Sequence, residues 1–265
     1  MLLALLLSCT EDLRDSRQGP GGGWSGDTAP PDTAGADTAG ADSGEVPGDG
    51  GAGPEGPCAP GMVEIADLEL GTFCIDAFEA RIAGHSPYEV PLDGVAEVVE
   101  GEIPQAYISG EVAALACAAA GKRLCREDEW LRACRGPEGF VYPYGDLYEE
   151  DACNTEYDGT HPVVDYFGTS EGVWDLEHMN DPGINQQPGT VAVTGGFQAC
   201  ASWEGVMDLH GNLHEWVQDE EGTFLGGFYA DAAINGEGCG YRTSAHPTSW
   251  HDYSTGFRCC AEAEG

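Results

Sequence analysis

Positive charge is what this chain has least of. Its 265 residues hold 10 Lys and Arg against 47 Asp and Glu, a formal net charge of −37, and Lys122 is the sole lysine. Nucleic acid is therefore excluded as a partner, because binding phosphates needs a basic footprint. A bilayer-spanning segment is missing too. The one long apolar run, Met1 to Leu7, is far short of the roughly 20 apolar residues a spanning helix needs. No pair of C-x-x-C motifs occurs, which argues against a structural zinc site.

The acidity is spread along the chain. Residues 1 to 57 hold ten acids and two bases, so most of the excess falls in the remainder. Solubility, a salty medium or calcium suits such a surface. The first fifth is otherwise distinct in composition: residues 18 to 57 are Gly, Pro, Ala, Asp, Thr and Ser almost throughout, with Asp-Thr-Ala repeated. Such a stretch has too little apolar surface to offset its ordering entropy, so residues 10–57 are expected to form a disordered tether. Ahead of it, the apolar run closing on Leu6-Leu7-Ser8-Cys9 is similar to the end of a bacterial lipoprotein signal. Residues 1–9 are then the signal, and Cys9 is the lipidated residue. A plain secretory leader is the alternative. The expected location is outside the cytoplasm, on the periplasmic or cell-surface side of a bacterial membrane.

Residues 58–265 are expected to form one α+β domain. "GMVEIADLELGTFCIDAFEAR" alternates as strands do, with Val63, Ile65, Phe73, Ile75 and Phe78 inward. In "SGEVAALACAAAGKRL", Val112, Leu115, Ala116 and Ala119 have helical spacing, and Gly121 marks the stop. A second helix starts near Arg126, with acids in its first turn and Arg132 and Arg135 at its end, the charge order that suits the helix dipole. From Gly136 onward Gly, Pro, Asn and Asp recur every few residues, and covalent or metal pinning is the expected compensation for so much loop. Eleven cysteines are present; setting Cys9 aside leaves ten, an even number that allows five disulfides in an exported domain.

The motifs "GMVEI", "FCIDAFEA", "ACAAAGKRLCREDEWLRACRG", "YPYGD", "GVMDLHGNLHEWVQD", a Gly-Gly turn and "GFRC" follow one another in that order. Together they resemble the formylglycine-generating enzyme, or sulfatase-modifying factor, family across roughly Cys58 to Glu262. The resemblance implies a loop-rich variant of the C-type-lectin-like fold. It also implies the pairs Cys117–Cys259 and Cys134–Cys239. Cys125 and Cys260 neighbour the first pair and are inferred to bond each other, while proximity pairs Cys58 with Cys74 and Cys153 with Cys200. The usual family form has Pro-Thr where this chain has Cys125-Arg126, which implies loss of a Thr cap and of the capping box to Glu129.

Aerobic members of that family are copper oxidases that turn a sulfatase cysteine into formylglycine, using two cysteines five residues apart just after the Gly-Gly turn. Here the run reads "GGFYADAAINGEGCGYRTSAH", with Asp231 at the first position and Gly236 at the second. Copper is not expected without that soft-ligand pair. Cys239 is the one candidate for residual thiol chemistry, and the alternative function is the oxidase itself. The histidine-ligated iron branch of the superfamily is not matched, since its ligand set is missing. The resemblance further implies a structural calcium site made by Asp208, the carbonyls of Gly211 and Leu213, and Glu215; two acids flanking alternate carbonyls suit a hard cation. The leading expectation is a tethered, non-catalytic module that binds an exported protein, a peptide or a glycan in the groove beside the Gly-Gly turn. Trp203, Trp216, Trp250 and Tyr241 are its aromatic candidates, with core packing the equal alternative for Trp216.

Overall fold

A computed structural model describes residues 56–264. The expected signal at 1–9 with Cys9, and all but the end of the expected tether at 10–57, lie outside the described residues. Among those described, no helix is long and apolar enough to cross a membrane.

Short strands dominate. Strand β1 (Met62–Asp67) turns at Leu68–Leu70 into β2 (Gly71–Asp76), and the two pair antiparallel with Ile65 opposite Phe73. Ile65, Phe73 and Ile75 are fully buried, as alternation requires, while Val63 packs partly buried against the same cluster. A small pair follows, β3 (Arg81–Ile82) with β4 (Ala96–Glu97).

Helix α1 (Gly110–Ala119) is capped by Ser109, whose hydroxyl accepts from the Val112 N–H at 3.2 Å. Gly121, at φ 74°, follows its last turn. The buried face is Gly110, Ala113, Ala116 and Cys117, whereas Leu115 is 65% exposed. The face is thus rotated from the expected Val112/Leu115 stripe. Two contacts set the rotation: Cys117 is bonded to Cys259, and Gly110 faces the Trp216 ring so closely that a Cβ there would sit 3.2 Å from it.

After β5 (Arg123–Leu124), helix α2 (Glu127–Arg135) buries Glu129, Trp130, Ala133 and Cys134. Half of the capping box persists, contrary to the expectation from the sequence. The Glu129 carboxylate accepts the Arg126 N–H at 2.9 Å without a Thr partner. It also takes both guanidinium nitrogens of Arg123, each at 2.6 Å. The "GKRL" pair therefore finds acids: Arg123 on Glu129, and Lys122 on Asp76, whose carboxyl burial pushes upward and Lys122 pulls back.

Two short helices come next, α3 (Pro162–Phe167) and α4 (Leu176–Met179). The last strands are β6 (His214–Trp216), β7 (Phe224–Leu225), β8 (Arg242–Thr243), β9 (Thr255–Phe257) and β10 (Cys259–Glu262). One four-stranded sheet has the order β1-β2-β10-β5 and another β8-β7-β6-β9, with β6 and β9 parallel. The chain's last strand thus enters the sheet begun by its first two, and long closures replace regular structure as the source of order.

Five disulfides cross these closures: Cys58–Cys74, Cys117–Cys259, Cys125–Cys260, Cys134–Cys239 and Cys153–Cys200. Three of them span 142, 135 and 105 residues. In the chain-entropy account a loop of that size is worth about 4 to 5 kcal/mol. They do for this fold what longer helices do elsewhere.

Candidate functional site

The segment Asp208 to Trp216 threads the centre of the domain. It is contorted: Asp208, Gly211 and Asn212 have φ of 62°, 83° and 56°. Gly211 permits this passage, because a Cβ there would lie 2.2 Å from the Asn154 carbonyl oxygen. At its end the Glu215 carboxylate is buried and bidentate. Arg258 Nε donates to Oε2 and Nη2 to Oε1, both at 2.6 Å, and Trp130 Nε1 adds a bond to Oε2 at 2.7 Å. Arg258, the arginine of "GFRC", is itself wholly buried and also donates to the carbonyls of Asp76 and Met207.

Two more acids face this arginine. Glu79 is buried and accepts from the Asn212 side-chain amide and from the Leu213 N–H. Burial pushes its carboxyl well above the ordinary range, and the charges of Asp208 and Glu215 push the same way. Asp208 accepts the Gly195 N–H at 2.7 Å and is raised to about 6, chiefly by burial. The expected calcium set of Asp208, Gly211, Leu213 and Glu215 does not fit a calcium ion in this arrangement. Glu215 has given both oxygens to three N–H donors, and the guanidinium already supplies the positive charge a cation would bring.

Beyond β7 the Gly226-Gly227 turn runs at φ of 85° and 75°. A Cβ on Gly227 would meet the Ala232 Cα at 2.5 Å, so only glycine lets this hairpin close. Asp231, at the position expected of a first catalytic cysteine, is tied down. Its Oδ1 accepts the N–H groups of Ala233 and Ile234 at 3.1 and 3.0 Å, and its Oδ2 accepts the Tyr241 hydroxyl at 3.1 Å. From Tyr241 the contacts continue inward: its oxygen lies 3.1 Å from His214 Nε2, and His214 Nδ1 lies 3.2 Å from the Ser254 hydroxyl, which donates to Asp252. Burial lowers His214 to about 3, so its ring is neutral.

The second position, Gly236, has φ 135° and no room for a side chain. A Cβ there would lie 2.3 Å from the Gly240 carbonyl oxygen. Cys239, the remaining sulfur, is fully buried in the turn Gly238–Gly240 and bonded to Cys134 of α2. Cys134 and Cys239 are thus brought together as one staple, and no described cysteine is left as a thiol.

A cleft opens on the outer side of this turn, with a volume of about 490 Å³. Tyr142, Tyr148 and His210 supply its rings, and Glu156, Glu237 and Gly238 share its wall. These are not the aromatics expected of the groove. Trp216 is core, its Nε1 donating to the Ile108 carbonyl; Tyr241 is buried; Trp250 stacks on His246; and Trp203 stands 63% exposed near Phe140. The signal that could have found the cleft is the "YPYGD" motif, which holds Tyr142 and the Tyr144 stacked on it.

Fold and site together define a disulfide-pinned, loop-rich α+β domain whose catalytic positions hold no sulfur pair. Residues 80–263 match the model of the sulfatase-modifying factor enzyme 1-like domain, and the chain belongs to that family. It is 30% identical over 128 residues to mouse (Mus musculus) "Inactive C-alpha-formylglycine-generating enzyme 2", a match covering 48% of this chain. The aligned part spans 35% of that relative's length. Among solved structures, Treponema denticola variable protein 1 superposes with a TM-score of 0.45 at 14% identity, covering 76% of this chain and 94% of that one. CarF superposes with a TM-score of 0.45 at 15% identity, covering 77% and 94%.

Proposed function

We propose that this chain is a non-catalytic member of its family: an exported, membrane-tethered module that uses the scaffold to bind a partner beside the Gly-Gly turn. The single observation that carries this reading is the Cys134–Cys239 disulfide, which takes up the one sulfur near the catalytic positions. Copper-oxygen chemistry on a thiol substrate requires thiolates as soft ligands, and a sulfur held in a disulfide carries no negative charge to offer the metal. Asp231 and Gly236 add to the argument. The first is committed to three hydrogen bonds, and the second cannot accept a Cβ without backbone movement. The relative whose name describes it as inactive is in keeping with this reading.

What remains of the active region is a scaffold, and a scaffold without its first chemistry can carry a binding site. The tether expected at 10–57 and the lipid expected on Cys9 would hold the domain near a membrane while leaving the cleft open to a second protein.

Oxygen consumption tests the proposal. The full chain, incubated with copper and a cysteine-containing peptide of the sulfatase type, is expected to consume no oxygen above a copper-only control and to leave the peptide's mass unchanged. Aldehyde formation on the peptide would replace this reading with the oxidase.

A further inference from the structure

The cleft beside Gly238 has a chemistry of its own. Tyr142 and Tyr148 lie with ring centroids 5.8 Å apart, inclined at 56°, and the His210 ring stands 5.4 Å from Tyr142 at 60°. All three rings line the cleft, Tyr148 in front at 46% exposed and the buried Tyr142 and His210 behind it. Each phenol donates to a carboxylate: Tyr142 to Glu237 at 2.7 Å and Tyr148 to Glu156 at 2.8 Å. A phenol that donates to an anion carries more electron density on its ring, which deepens the negative potential of the face. Among the described residues, neither Glu156 nor Glu237 forms an ion pair, and no Lys or Arg lines the cleft. His210 is 2% exposed, and its Nδ1 has no hydrogen-bond partner.

An aromatic lining, two solvent-facing carboxylates with no Lys or Arg beside them and a buried ring nitrogen without a partner suit one chemical class. We propose that the cleft is a cation pocket which receives the ammonium or guanidinium head of a side chain on a partner protein. An anion would be repelled by Glu156 and Glu237, and a neutral group would gain nothing from either charge.

The rim argues for a protein side chain over a free small cation. Leu147, 79% exposed, precedes Tyr148, and Ile234, 82% exposed, follows Ala233 of the cleft wall. Exposed aliphatic residues adjoining two lining residues in sequence provide contacts that a small ion cannot use. The net charge of −37 favours a basic partner at long range. This inference rests on the binding-module reading and gives it a ligand class.

The full chain is titrated with Nα-acetyl-lysine methylamide, Nα-acetyl-arginine methylamide, tetramethylammonium and 3,3-dimethyl-1-butanol, a neutral isostere of choline. The amide resonances of Ala233 and Gly238 provide the readout. Saturable shifts are expected with the three cations, strongest with a side-chain mimic, and none with the alcohol. Tyr148→Ala and Glu237→Gln, both at exposed positions, are each expected to weaken binding about tenfold with no change in melting temperature. Tightest binding by tetramethylammonium would overturn the side-chain assignment in favour of a free quaternary ammonium ion. Equal response to the alcohol, or no saturable shift with any cation, would overturn the pocket altogether. A free thiol at Cys239 would end the non-catalytic reading without changing this titration, so the two failures are distinguishable.

Discussion

Glu215 and Arg258 form a bidentate ion pair with no solvent contact, joining β6 to the residue between β9 and β10. The pair holds the strand that runs under the candidate site, and Trp130 completes it from α2. Removing one partner leaves a buried charge unpaired, at a cost of about 3 to 5 kcal/mol. Glu215→Gln is therefore expected to lower stability by that amount in guanidinium titration at neutral pH. Calcium at millimolar concentration should leave the melting temperature of the unmutated chain unchanged, because Arg258 already neutralises Glu215 and the ion would have to displace it. A calcium-dependent rise would show that the ion displaces the arginine.

Asp208 makes a pH prediction of defined sign. Its folded pKa is raised to about 6, above the ordinary aspartate value of 3.8, chiefly by burial. The folded state therefore holds the proton more tightly than the unfolded chain. Its contribution to stability is present below the unfolded value and is lost as pH rises to about 6. Asp208→Asn keeps an oxygen for the Gly195 N–H and removes the buried charge. The variant should match the parent near pH 4 and exceed it by about 1 to 3 kcal/mol at pH 7.5, read from urea curves at both pH values. A constant difference across that range would place the charge cost elsewhere.

Restoring cysteines at the family's catalytic positions should not restore catalysis. In Asp231→Cys/Gly236→Cys the second Cβ collides with the Gly240 carbonyl, and the first substitution removes the acceptor of three hydrogen bonds. The double variant is expected to lose about 2 to 4 kcal/mol of stability and to bind Cu(I) no more tightly than the parent, measured by competition with a chromogenic chelator. Tight Cu(I) binding with unchanged stability would show a turn more pliable than this geometry allows.

Some of this was legible in the sequence. Ile65, Phe73 and Ile75 announced β1 and β2 because an alternating pattern in a hairpin has one sensible burial. Helix α1 did not yield its face, because alanines provide little contrast around the helix; Cys117 and the Trp216 ring decide its orientation, and Trp216 lies about a hundred residues away in sequence. Glu215 read as a metal ligand because nothing local reveals an arginine 43 residues downstream that folds onto it. The cleft was missed for a related reason. Its two tyrosines meet His210 and Glu237 only when loops far apart in sequence are folded against each other.

Breaking that bond should cost stability and nothing else. Cys134→Ala/Cys239→Ala opens a closure of 105 residues and is expected to lose about 2 to 5 kcal/mol in guanidinium titration. Cys134→Ala alone would leave Cys239 reduced and buried, still without a second thiol to share copper.

The decisive measurement is a mass map of alkylated thiols on the native full chain and again after denaturation without reductant. The account predicts that, Cys9 aside, no cysteine is labelled in either state and that Cys239 is recovered in a peptide linked to Cys134. Stoichiometric labelling of Cys239 in the native protein would contradict it, because the sulfur nearest the ancestral active centre would then be free to react.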